Sequence, residues 1–340
     1  VRYPSKPRPG DRVAVLSPSS GLPQIFPEVF ELGLRRLTET FGLQPVEYPT
    51  TRRLDASAAD RAADLHAAFA DPQITAILAS IGGDDQITVI PHLDRDLIAA
   101  NPKPFFGYSD NTNLHHFLYG LGIVSYHGGS VMVHLGRSGS LHPAHAASLR
   151  AALFVDGWFD LVEPADWGDE AYDWHDPSQL VLEPRMWPHE PWLWPEAGGV
   201  VEGESWGGNV EIVSWLLQAG RVSTVDATVL FLETSEEMPP AIEVYRTLRN
   251  LGERGLLRQF EAVLWARPKA WEHDRRNPPE AKRVYIDEQY DAVRRALAEY
   301  NPDAVLVLGV DFGHADPQLI VPYGGIIRVD AGAHRITVRY

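Results

Sequence analysis

The chain has 340 residues, enough for two domains with separate cores. Its 44% hydrophobic and 22% charged composition is that of a globular protein, and its net charge of -16 argues against a nucleic-acid partner, because phosphate binding needs clustered lysine and arginine. With no cysteine, the chain has no disulfide, no thiolate zinc site and no cysteine nucleophile.

The opening "VRYPSKPRPGDRVAVLSPSS" has no apolar stretch of signal-peptide length. No run reaches the roughly 20 apolar residues of a membrane helix, so a cytoplasmic location without a membrane partner is expected. "RVAVLSPSS" then reads as a buried strand ending in a polar turn, and "PEVFELGLRRLTETFG" carries apolar residues at helical spacing as far as Gly42. "LQPVEYP" is strand-like, and "ASAADRAADLHAAFADP" is an alanine-rich helix broken before Pro72. "ITAILASIGGDD" and "PFFGYSD" are two more strands that empty into polar or glycine turns. This alternation predicts βαβ units and a parallel sheet, whose ligands collect beyond the carboxyl ends of the strands. Ser19, Gly82, Gly83 and Ser109 all fall at such ends.

Residues 156–197 lose any period but hold six of the ten tryptophans, which argues against disorder. The stretch reads as a functional loop or an interdomain connection. Beyond Gly198 regular structure resumes. "GNVEIVSWLLQAG", "PPAIEVYRTLRNLG" and "EQYDAVRRALAEYN" read as helices, "ATVLFLE", "FEAVLWA" and "DAVLVLGVDFGH" as strands, and "LIVPYGGIIRVDAGAHRITVRY" as a hairpin or meander. The expected architecture is α/β in two domains: a Rossmann- or flavodoxin-like parallel layer over 1–155, the tryptophan-rich loop over 156–197, and an α/β domain with a mixed sheet over 198–340.

The chemistry begins at "GYSDN". A strand-turn-helix elbow projects a serine hydroxyl clear of the sheet and aims the next backbone N–H at developing charge. Gly107 supplies the leading glycine of such an elbow, and Asn111 replaces the second. Serine, aspartate and asparagine are also the preferred helix caps, so Ser109 has a plainer role open to it. A serine nucleophile needs a base. Of thirteen histidines, His115 and His116 lie in the following helix, His127 at a glycine turn, and His314 in the strand-end loop "GVDFGHADP". Glu233 ends "TVLFLE" and is a candidate to orient the base, with Glu236 and Glu237 as close competitors. The amides of "IGGDDQ" suit an anion or oxyanion. No GxGxxG, P-loop or HExxH pattern occurs, so no cofactor or metal is expected.

In order along the chain, "GDRVAVLSPSS", "ILASIGGDDQITVIPHLD", "PKPFFGYSDNTNLHHFLY", "SYHGG", "SWGGNVEIVSWLL", "VLFLETSEE" and "GVDFGHADPQLIVPYGG" resemble the serine LD-carboxypeptidase family. That family includes murein tetrapeptide carboxypeptidases and microcin C self-immunity proteins. The resemblance implies a hydrolase with Ser109 as nucleophile, His314 as general base and acid, and Glu233 orienting the imidazole. It also implies an oxyanion hole from the amides of Asp110 and Gly83, Asn209 among the substrate-binding residues, and a homodimer. The long insert with "EPWLWPEAGG" is nearer the self-immunity branch, in which a loop tryptophan stacks on the nucleobase of an aminoacyl-nucleotide; Trp192 or Trp194 is the expected counterpart. Asn111, where the family has an aliphatic residue, Gly129, where it often has proline, and "RVSTV", which lacks the usual Gly-Thr, depart from the pattern. The favoured substrate is a peptidyl- or aminoacyl-nucleotide, the alternative a murein tetrapeptide, and a non-catalytic ligand binder is the rival from another class.

Overall fold

Val13 to Leu16 are buried without a polar interruption, as a strand covered on both faces requires. In the computed structural model, which describes residues 1–195 and 198–340, this strand β1 (Arg12–Leu16) belongs to a six-stranded sheet. Beside it run β2 (Gln44–Glu47), β3 (Ile74–Ala79), β4 (Phe105–Gly107) and β5 (Ser125–His127), these five strands all parallel to one another. Helices α1 (Pro27–Glu39), α2 (Ala58–Ala70), α3 (Arg95–Ala100) and α4 (Thr112–Tyr119) connect them, and α5 (Pro143–Phe154) follows. Ser57 starts α2 by accepting a hydrogen bond from the Asp60 amide at 3.1 Å, satisfying one of the donors a helix end leaves free.

The second sheet has seven strands. β6 (Trp158–Leu161) lies at one edge, and a two-residue pair, β7 (Asp166–Trp167) with β8 (Trp187–Pro188), stands apart from it. β9 (Val200–Asn209), β10 (Val229–Glu233), β11 (Ala262–Ala266) and β12 (Val305–Val310) run parallel. β13 (Val321–Tyr323) leaves this unit, while β14 (Ile326–Asp330) and β15 (Arg335–Arg339) complete the sheet in antiparallel fashion. Helices α6 (Val210–Gln218), α7 (Ala241–Glu253) and α8 (Pro279–Tyr300) join the parallel strands. The fold is α/β, with a parallel-rich N-terminal sheet and a mixed C-terminal sheet.

Three elements differ from the sequence reading. The tail does not form one meander: its first strand, β13, is fully buried and pairs antiparallel with β5 of the first sheet, so the tail serves both sheets. The tryptophan-rich stretch is not wholly irregular either, since β6 pairs with β15. Helix α8 begins at Pro279, well before the expected "EQYDAV", because its first turns pack on the insert, where Lys282 pairs with Asp169 at 2.6 Å. The carboxyl ends of β1, β3 and β4 meet those of β10 and β12 around one cleft, lined by Ser20, Gly82, Ser109, Glu236 and His314.

Candidate active site

Immediately after β4 the chain turns, and Ser109 has a φ of 61°. A serine keeps this left-handed conformation only where its surroundings hold it. The two following residues do so. The fully buried Asp110 carboxylate accepts hydrogen bonds from the amides of Asp85 (3.1 Å) and Gln86 (2.8 Å) and from the Asn113 side chain (2.8 Å). Burial pushes this carboxyl up to about 6, although the Gln86 amide pulls it back. Asn111 has an ordinary helical φ of -63°. Its Nδ2 donates to the carbonyls of Ile81 and Tyr108, and its Oδ1 accepts from Gln86. The missing elbow glycine is therefore replaced by a brace, with the bend at Ser109, two residues earlier. Glycine is required across the cleft instead: a Cβ on Gly82 would lie 2.9 Å from Ser109 Cβ and 3.2 Å from its Oγ. No side-chain cap bond starts either the turn at Ser109 or α4, so the plainer capping role is not the one Ser109 plays.

The second sheet supplies the other half. β10 is buried throughout and ends at Glu233, which is fully buried. Gly313 lets the loop after β12 pass close to it, for a Cβ there would meet Glu233 Cβ at 3.0 Å and Ala266 Cβ at 3.1 Å. His314 Nδ1 lies 2.6 Å from Glu233 Oε2, and its Nε2 lies 3.0 Å from Glu236 Oε2. Burial alone would lower the imidazole pKa; the two carboxylates outweigh it and lift it to about 10. In this conformation the two carboxylates favour the protonated, imidazolium form of His314. Glu236 is 48% exposed, so its pair with His314 is partly screened by water. Burial opposes ionisation of Glu236, yet the neighbouring imidazolium and Lys269 hold its carboxyl below the usual range.

Ser109, Gly82, Gly83, Glu236 and His314 share a cleft of about 460 Å³. The other expected histidines are structural. His115 is pinned between Ser125 Oγ (2.7 Å) and the Gly107 carbonyl (2.8 Å), and burial lowers it to about 4. His116 meets the Arg221 carbonyl and the Trp206 indole, and His127 is buried against Tyr108 and Phe231. Asp110 follows Ser109 in the chain, and Gly83 lines the same cleft but faces Ser19 and Ser20, Gly82 being the glycine against Ser109. Asn209 instead is 1% exposed, caps α6 through Ile212 at 3.0 Å and donates its own amide to Thr112 Oγ1.

The expected tryptophans lie elsewhere. Trp192 is 4% exposed, with its indole N–H donated to Asp311 Oδ2 at 2.8 Å, and Trp194 stacks on His334. Both flank Leu193, which bridges to Leu308 at the edge of β12. The insert's tryptophan in the cleft wall is Trp174, packed edge-on against Phe26 at 5.4 Å. Nothing in the tryptophan spacing separates these cases. Gln318 also escaped the sequence reading. It accepts from the Gly129 amide at 3.0 Å and donates to the Gly313 carbonyl at 3.1 Å, tying the histidine loop to the first sheet.

Residues 13–128 match the sequence model of the LD-carboxypeptidase N-terminal domain, and residues 202–329 that of the LD-carboxypeptidase C-terminal domain. Among curated proteins, a probable murein peptide carboxypeptidase of Bacillus subtilis is 28% identical, over 78% of this chain and 72% of its own length. The microcin C7 self-immunity protein of Escherichia coli is 24% identical over 82% and 78%. Among solved structures, microcin C7 self-immunity protein superposes with a TM-score of 0.85 in a mutant complex with adenosine monophosphate, at 22% identity over 100% of this chain and 99% of that one. Its complex with aspartyl sulfamoyl adenosine gives 0.83, again at 22% identity, with the same coverage. The fold is shared along the whole chain.

Proposed function

This chain belongs to the LD-carboxypeptidase family of serine peptidases, and from that premise we propose that Ser109, His314 and Glu233 form a triad that hydrolyses an amide bond of a peptidyl- or aminoacyl-nucleotide. The observation carrying the reading is the 2.6 Å contact of His314 Nδ1 with a fully buried Glu233, in the same cleft as a serine held at positive φ. Glu233 fixes the imidazole so that Nε2 faces the cleft. His314 Nε2 takes the Ser109 proton as Oγ bonds to the scissile carbonyl, and the amides of Asp110 and Gly83 receive the oxyanion. Collapse of that intermediate breaks the C–N bond, with the leaving nitrogen taking the proton from His314. Water then repeats the sequence on the acyl-enzyme.

Trp174 takes the stacking role expected of Trp192 or Trp194, since it is the insert tryptophan in the cleft wall. Stacking on a base is worth roughly 1–3 kcal/mol, which favours a nucleotide-bearing substrate. Murein tetrapeptide hydrolysis is the second reading, supported by the murein-named relative's slightly higher identity. Mass spectrometry of products from an aspartyl-adenylate analogue and a murein tetrapeptide, with wild type beside Ser109→Ala, separates the two. Cleavage of the nucleotide substrate by wild type alone is expected. Cleavage of only the tetrapeptide would keep the triad and move the substrate to cell-wall peptide, and cleavage of both by Ser109→Ala would remove the serine from the mechanism.

A further inference from the structure

The two carboxylates on His314 sit in different settings. Glu233 ends a buried strand and is fully buried. Glu236 is half exposed and lines the cleft. Its backbone is anchored on both sides, by Ser235, whose N–H and Oγ both donate to Glu211 Oε1 (3.0 and 2.5 Å), and by Met238, which is 1% exposed. The Glu236 side chain can therefore swing without moving the loop. Where it rests matters, because Nε2 is the atom that must accept the Ser109 proton, and a carboxylate 3.0 Å away keeps a proton there instead.

We propose that Glu236 is a substrate-sensing latch: its carboxylate holds His314 Nε2 until a cationic amino group of the substrate draws it away, making the enzyme selective for substrates with a free ammonium near the scissile carbonyl. This rests on the triad reading and names the substrate feature that the site reads. The groups around the ring leave the role to the substrate. Tyr108 packs on one face of His314 at 4.6 Å. His127 and His134 are buried and held well below the ordinary histidine range, so they carry no charge to offer. Lys269 is committed to Glu272 at 2.8 Å. The cleft wall carries the carboxylates of Asp173, Glu236 and Glu272 against Lys269 and the protonated His314 ring, an excess of one negative charge, so a cation is its complementary ligand. When a substrate ammonium pairs with Glu236, the imidazolium has one carboxylate fewer and releases its Nε2 proton to water. The freed lone pair then takes the Ser109 proton as Oγ attacks, and the carbonyl electron pair moves onto oxygen.

The test compares an aspartyl-adenylate analogue bearing a free α-amino group with its N-acetyl counterpart, using wild type, Glu236→Gln and Glu236→Asp. Wild type favours the free amine in kcat/KM by roughly tenfold or more, the scale of one charged hydrogen bond. Glu236→Gln loses that preference, and Glu236→Asp recovers part of it. The acid limb of kcat/KM, which reports the free enzyme, moves to lower pH in Glu236→Gln, because a carboxylate that retains the histidine proton has gone. An unchanged preference or an unmoved acid limb overturns the latch. Should no variant cleave either compound, the nucleotide reading fails, and an NMR titration of His314 decides the latch separately. A fall of the His314 pKa in Glu236→Gln supports it, and an unaltered titration overturns it.

Discussion

Replacing Gly82 by alanine adds one methyl group at the place where the "IGGDD" turn faces Ser109. The new Cβ would sit 2.9 Å from Ser109 Cβ, 3.2 Å from Oγ and 3.6 Å from the Asp110 nitrogen. Ordinary carbon–carbon contact is about 3.5–4.0 Å, so one side must retreat by roughly 0.6 Å or more. Gly82 is not at positive φ, so alanine fits its backbone, and the strain falls on the contact. The Ser109 turn resists retreat because Asp110 and Asn111 lash it to Asp85, Gln86 and Ile81. A displacement on the order of 1 Å at the reacting atom costs on the order of a hundredfold in rate, or about 2.7 kcal/mol of activation free energy. Overpacking costs about 1–3 kcal/mol of stability, which a chain of this size survives. The assay is kcat on the substrate that wild type cleaves, with Tm measured alongside. Gly199→Ala, which would meet nothing within 4 Å, is the control. A Gly82→Ala enzyme with wild-type kcat and Tm would refute the claim that this contact positions the serine.

Three further outcomes are expected. Glu233→Gln keeps the fold by circular dichroism and lowers kcat by up to about 10⁴, the scale of losing a triad carboxylate; a loss below about tenfold would remove Glu233 from the triad. Trp174→Ala raises KM for a nucleotide substrate by roughly tenfold, within the 1–3 kcal/mol of a base stack, while Trp192→Ala leaves KM alone and lowers denaturant stability by about 3–5 kcal/mol. The reverse pattern would return the stacking role to Trp192. The pH dependence of stability has a worked sign. His115 and His145 are held neutral by burial, each down to about 4, and burial holds His127 and His134 well below the ordinary histidine range. A depressed histidine pKa contributes stability above the unfolded value of about 6.5 that is lost as pH falls toward the folded value, up to about 3 kcal/mol each. Asp110 and Glu211, raised by burial to about 6 and 7, work in the opposite direction. The raised His314 also works in that opposite direction, but the four depressed histidines outweigh it and the two carboxyls, so the urea midpoint rises from about pH 5 to 6.5; a falling midpoint would mean that these four histidines are not neutral in the folded protein.

The strands and the polar turns at their ends were legible because a buried parallel strand has a strong local signature: an apolar run followed at once by glycine, serine or aspartate. Glu233, directly after "VLFL", and His314, in the polar loop four residues past "VLVLGV", could be nominated from that signature, since polar residues at strand ends meet a ligand, water or one another. The contact between Glu236 and His314 Nε2 could not be, because a surface acid three residues past a strand reads as an ordinary turn residue. The substrate wall was illegible for a related reason. Trp174 and Trp192 occur in equally irregular sequence, and what separates them is whether the indole N–H finds Asp311 in the core. That partner lies far along the chain, and no local period encodes it.

Ser109 and His314 come from different sheets, yet the proton transfer proposed between them tolerates little misalignment. The stretch from Asp311 to Tyr323 resolves this. It leaves β12 with Asp311 ion-paired to Arg267 at 2.8 Å and then carries His314 past Glu233. Asp316 next binds Arg137 at 2.7 Å, and the Gln318 carbonyl meets His145 at 2.7 Å. The stretch ends as β13, paired with β5, itself the neighbour of the strand that launches Ser109. One short segment thus belongs to both sheets and carries His314 between them. Had the tail stayed wholly in the second sheet, as its alternating pattern suggested, the relative position of serine and histidine would depend on side-chain packing between two units. With β13 inserted, backbone hydrogen bonds join them, and an apolar pattern that reads as an ordinary meander becomes the part that aligns the site.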